Sequence, residues 1–97
     1  MATNKNNHWN FEKELWVENR LGLHARPAAK IATASRQFDA DIVLEKDGQE
    51  VNAQDLLDVL AMDCPQGTRL MLRTRGPQAR EAAACISSLF ASKFEES

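Results

Sequence analysis

Two hydrophobic periods take turns along this chain, and only an architecture that serves both can bury its apolar residues. From Phe11 to Glu18, Phe11, Leu15 and Val17 share one parity while Glu12, Glu14, Trp16 and Glu18 share the other, the period of a half-buried strand; Lys13 breaks the apolar parity near the edge. From Ala25 to about Gln37, Ala28, Ile31, Ala32 and Ser35 recur at helical spacing, and Pro27 lies in the first turn, where a missing N–H costs least. Ala40 to Lys46 alternates again, with Ile42 and Leu44 opposed to Asp41, Val43 and Glu45, and Asp47-Gly48 suits a tight turn into Gln49 to Ala53. Asp55 to Met62 forms a short helix with Asp55 as N-cap and Asp58 near the positive end of its dipole. Leu70, Leu72 and Thr74 alternate with Arg69, Met71, Arg73 and Arg75 in a strand from Thr68 to Arg75. Gly76-Pro77 opens a last helix to about Lys93, whose face carries Ala79, Ala82, Ala83, Ile86, Leu89, Phe90 and Phe94.

The order β-α-β-β-α-β-α with alternating strands is an α+β pattern: helices cover one sheet face and the other meets water, an open-faced β-sandwich. Charge on the wet parity selects the neighbours. Strand one offers Glu12, Glu14 and Glu18, strand two Asp41 and Glu45, and strand four Arg69, Arg73 and Arg75. Placing the basic strand between the two acidic ones pairs opposite signs on both sides, so the expected antiparallel sheet order is 1-4-2-3.

At 97 residues the chain suits one domain, expected over residues 11–97 behind a flexible polar tail at 1–10 that contains the incidental His8. The longest apolar run, Ala82 to Ile86, falls far short of a bilayer span, and the polar start lacks the apolar stretch of a signal peptide. A cytoplasmic protein that does not enter the membrane is expected. Fourteen acidic against twelve basic side chains give a formal charge of −2, which fails to supply the basic footprint of a nucleic-acid binder. Cys64 and Cys85 lack C-x-x-C or metal-ligand spacing and read as free thiols, so neither a metal nor a cofactor is expected.

The sharpest local feature is Gly22-Leu23-His24-Ala25-Arg26-Pro27-Ala28, which sets a histidine where the first helix begins. Helix N-termini carry unpaired N–H groups and a positive dipole end, so a phosphate carried by His24 would be held by the amides that follow it. Pro27 has no N–H, which leaves Ala25 and Arg26 as the backbone donors, and Arg26 adds a fixed charge with a fork suited to phosphate oxygens. Neutral imidazole is a competent nucleophile near pH 7. In the second helix Leu56, Leu57, Val59, Leu60 and Met62 are apolar nearly all round. Val59 and Met62 fit the inward face, leaving Leu56, Leu57 and Leu60, with Leu23 beside His24, as a small docking patch.

That heptad resembles the active-site signature of HPr, the histidine phosphocarrier of the bacterial phosphoenolpyruvate-dependent phosphotransferase system. Val51-Asn52-Ala53-Gln54-Asp55-Leu56-Leu57 resembles the family's second signature and Gln66-Gly67-Thr68 the turn into its last strand, with the spacing between them kept, so the resemblance covers about Phe11 to Phe90. It implies the same open-faced sandwich in a monomeric carrier that is a substrate of its partners and not a turnover enzyme. His24 would accept a phosphoryl group on Nδ1 from phosphorylated enzyme I and pass it to an enzyme IIA-type domain for sugar uptake or regulation, while Arg26 steadies the phosphate. The second helix and the start of the first would contact those partners. Asp55 stands where regulated relatives carry a serine phosphorylated by a dedicated kinase, and Asp58 adds a further negative charge on the same helix. An alternative is a regulator that keeps the fold and acts by contact, with Asp55 partly mimicking phosphoserine; the presence of both His24 and Arg26 argues against it.

Overall fold

The computed structural model describes residues 8–97. Its elements run β1 (Phe11–Trp16), α1 (Ala25–Ser35), β2 (Asp41–Lys46), β3 (Gln49–Asn52), α2 (Leu56–Ala61), β4 (Arg69–Arg75) and α3 (Ala79–Ala91), followed by a 3-10 turn at Lys93–Glu95. One antiparallel sheet has the order β1-β4-β2-β3, as the charge pattern requires.

Alternation along each strand produces the two faces. Leu15, Ile42, Leu44, Leu70 and Leu72 are buried and meet Ala28 and Ile31 of α1, Val59 of α2 and Ala82, Ile86 and Phe90 of α3 in a single core. On the open face Arg73 donates to Glu12 at 2.7 Å, to Glu45 and, at 3.4 Å, to Glu50; Arg75 donates to Asp41 at 2.8 Å and Arg69 to Glu14. The basic strand thus ties down both acidic neighbours. Each exposed pair contributes only a few tenths of a kcal/mol, so their effect is mainly on register. The Arg73 guanidinium holds the Glu45 carboxyl below the usual carboxylate range, with partial burial opposing it.

Several elements end one or two residues earlier than the sequence pattern suggests, β1 at Trp16, α1 at Ser35 and β3 at Asn52, and two boundaries differ for tertiary reasons. Residues 1–7 of the tail lie outside the described residues, whereas Trp9 and Asn10 already belong to the body. Asn10 bonds both ends of the β4 exit, its amide donating to Thr74 at 2.8 Å and its side chain accepting from the Gly76 amide at 2.9 Å. Trp9 lies under the Arg75 guanidinium, 4.6 Å from ring centroid to carbon. The last helix stops at Ala91, short of Lys93, because the backbone turns left-handed over Lys93, Phe94 and Glu95 (φ 55°, 56° and 61°). Such residues cost on the order of 1–2 kcal/mol each. The turn is held because it buries Phe94 edge-on against Phe90 at 5.0 Å, and because Lys30 of α1 donates to the Phe94 carbonyl at 2.8 Å. It points the chain back toward the start of α1, where the Ser97 carbonyl accepts from the Arg20 amide at 2.6 Å.

Candidate functional site

His24 is the N-cap of α1, in extended conformation, and its carbonyl accepts the first helical bond from Ala28 at 3.0 Å. The side chain does not cap the helix, so the ring is free to do something else. Among the described residues the amides of Ala25 and Arg26 donate to nothing, and Pro27 has no N–H to add. Two donors at the positive end of an eleven-residue helix therefore stand beside the imidazole. The Arg26 side chain is exposed, and among the described residues its guanidinium makes no hydrogen bond or ion pair.

What positions His24 is the loop before it. Gly22 has φ +71° and lies so close to the chain after α2 that a Cβ would meet the Cys64 carbonyl oxygen at 2.4 Å and Pro65 Cα at 2.9 Å. The Leu23 amide donates to that same Cys64 carbonyl at 2.9 Å. Buried Asn19 closes the turn, donating to the Gly22 carbonyl at 2.7 Å and accepting at its own carbonyl from the Gly22 amide at 3.1 Å.

The ring is 36% exposed, and its Nε2 lies 2.9 Å from Oε1 of Glu96. The same oxygen accepts from Asn19 Nδ2 at 3.0 Å. These two bonds, helped by the charge of Arg26, hold the Glu96 carboxyl below the ordinary carboxylate range, so it is ionised near neutral pH. An ionised carboxylate has no proton to give, which makes Nε2 the donor; Nδ1 bonds nothing among the described residues.

The docking leucines separate under packing. Leu23, read as part of the surface, is only 5% exposed and belongs to the core: its backbone is pinned to Cys64 and its side chain turns inward. The exposed neighbour is Leu21, at 66%, two residues earlier. Leu57 is 73% exposed, while Leu56 and Leu60 are half-buried against the core and Val59 and Met62 are buried, as expected. Asp55 caps α2, its Oδ1 accepting from the amides of Leu57 at 3.0 Å and Asp58 at 3.2 Å. Lys46 caps the other end through the carbonyls of Met62 and Asp63. Cys64 does not compete as a nucleophile, since burial pushes its thiol up.

Against known proteins, residues 11–92 match the model described as the PTS HPr component phosphorylation site. The chain belongs to the HPr family. It is 44% identical over 84 residues to phosphocarrier protein HPr of Treponema pallidum (strain Nichols), covering 87% of this chain and 96% of that one. It is 38% identical over 81 residues to phosphocarrier protein NPr of Escherichia coli (strain K12), covering 82% and 90%. The structure of HPr-C-His from Thermoanaerobacter tengcongensis superposes with a TM-score of 0.86 at 33% identity, over 90% of this chain and 98% of that one. The open-faced sandwich is thus the HPr fold, and the chain is an HPr-family phosphocarrier of the phosphotransferase system. Among the described residues no helix is long and apolar enough to cross a membrane.

Glu96 and Asn19 were not singled out in the sequence. Asn19 ahead of Gly22 is a turn signal. Glu96 gives none, because its partner is 72 residues away.

Proposed function

We propose that His24 is the phosphoryl-bearing residue of this HPr-family chain, taking the group on Nδ1 from phosphorylated enzyme I and passing it to an enzyme IIA-type domain. The observation that carries this is the half-exposed His24 ring at the start of α1: Nε2 is occupied by Glu96, leaving Nδ1 as the available nitrogen beside the Ala25 and Arg26 amides, which among the described residues are unpaired. Those donors and the exposed Arg26 guanidinium supply charge for three phosphoryl oxygens, and a loose phosphoryl transfer needs positioning and charge more than covalent chemistry from the carrier. Exposed Leu57, beside half-buried Leu56 and Leu60 on α2, and exposed Leu21 in the loop before His24 supply the apolar contact that partners use.

The carrier is expected to act as a monomer, to need no cofactor and to turn over nothing by itself. Intact mass after incubation with phosphoenolpyruvate and a bacterial enzyme I tests the reading. One acid-labile phosphate on the wild type and none on His24→Ala is the expected result. An unmodified wild type, with the same enzyme I charging an ordinary HPr, would overturn it and favour a regulator acting by contact.

A further inference from the structure

We propose that Glu96 is a positioning residue for the transfer, a carboxylate that fixes the proton of His24 on Nε2 and offsets the charge the ring gains when Nδ1 takes the phosphoryl group. The proposal rests on the reading that His24 is the phosphoryl acceptor.

The contact has the marks of a built arrangement. Glu96 sits beyond three consecutive left-handed residues, a path held by the burial of Phe94 and by the bond from Lys30 to its carbonyl. The carboxylate is aimed by a second donor, since Asn19 Nδ2 bonds the same Oε1 that faces His24. Asn19 is itself buried and spends its other N–H on the Gly22 carbonyl, two residues before the histidine. One side chain therefore ties the histidine loop to the carboxylate.

The chemical consequence follows from electron counting. Nδ1 attacks phosphorus with its lone pair, the N–P bond forms, and the bond from phosphorus to the donor breaks with its electron pair leaving to the donor. No proton leaves Nδ1, because none is there. The ring keeps its Nε2 proton and carries one formal positive charge, which the Glu96 carboxylate faces at hydrogen-bond distance. The same logic holds the histidine of a hydrolase triad in its working tautomer and stabilises the imidazolium that forms. In onward transfer the protonated ring is the leaving group, and the carboxylate keeps that proton in place. Arg26, whose charge also acts weakly on Glu96, offsets part of the carboxylate's repulsion for the incoming phosphoryl oxygens.

The test uses the full chain as wild type and as Glu96→Ala, Glu96→Gln and Glu96→Asp. Nitrogen-15 spectra of the neutral His24 ring, assigned with His24→Ala, report the tautomer, and intact-mass time courses with phosphoenolpyruvate and enzyme I report the rate of charging. Wild type should show a protonated Nε2 and a bare Nδ1. Glu96→Ala should show a mixture and charge about three- to tenfold more slowly. Glu96→Gln keeps an acceptor oxygen but not the charge, so it should hold the tautomer and lose rate, and Glu96→Asp should recover part of the rate. Wild-type tautomer and rate in Glu96→Ala would overturn the proposal. A wild type that takes no phosphate would overturn the carrier reading instead, and the ring spectra would still decide whether Glu96 sets the proton.

Discussion

Gly22→Ala is the substitution by which the positioning of His24 is most sharply tested. At φ +71° an alanine costs about 1 kcal/mol for conformation alone. Its Cβ would lie 2.4 Å from the Cys64 carbonyl oxygen and 2.9 Å from Pro65 Cα, both backbone atoms that no rotamer change can move. Relief requires the loop after α2 to back away, which strains the overpacked contact by about 1–3 kcal/mol and breaks the bond from Leu23 to Cys64, worth about 1 kcal/mol. The expected loss is therefore about 3–5 kcal/mol, a fall in Tm of roughly 12 °C or more for a domain of this size. Gly48→Ala is the control. Gly48 has φ +85° in the Asp47-Gly48 turn, but a Cβ there meets nothing within 4 Å, so only the conformational cost of about 1 kcal/mol remains. Urea unfolding of both variants separates the two contributions, since each should keep the wild-type m-value. Equal losses would show that the 64–65 loop yields freely and would refute the argument that its contact with Gly22 places His24.

Three further outcomes follow from the geometry. Asp55→Ala should lose about 1 kcal/mol of stability and Asp55→Ser almost none, because serine replaces the cap; if the aspartate also mimics phosphoserine, Asp55→Ser should speed charging by enzyme I at low salt, and an unchanged rate removes that idea. Glu45 and Glu96 have carboxyls held below their unfolded values, so the folded state binds fewer protons: the stability they contribute is present at neutral pH and is lost as pH falls below about 5. Glu45→Gln should make the acid fall of the urea midpoint shallower, and a slope identical to wild type would contradict the Arg73 pairing. Leu57→Asp should leave stability within about 0.5 kcal/mol, the side chain being exposed, yet slow charging by roughly fivefold if this leucine docks enzyme I, which a time course on the folded variant reads directly.

The sequence by itself determined the elements, their order and the sheet. Hydrophobic period is a local property, and Leu70, Leu72 and Thr74 alternating with three arginines and Met71 allow few other arrangements; the two strands that flank the arginine strand could be chosen from sign alone, and the structure then pairs its arginines with their carboxylates. His24 at a helix start and Asp55 as a cap were legible for the same reason, since capping is decided within a few residues. Tertiary structure alone decided which leucine faces water. Leu21 and Leu23 have the same side chain two residues apart, and only the pinning of Leu23 to Cys64 turns one inward and leaves the other out. It also decided the end of α3: Lys93, Phe94 and Glu95 continue a helical pattern, but burying Phe94 outweighs local preference and sends the chain left-handed. That reversal brings Glu96 to a histidine 72 residues earlier. No periodicity or spacing encodes such a contact, because it depends on where the packed core leaves two distant segments.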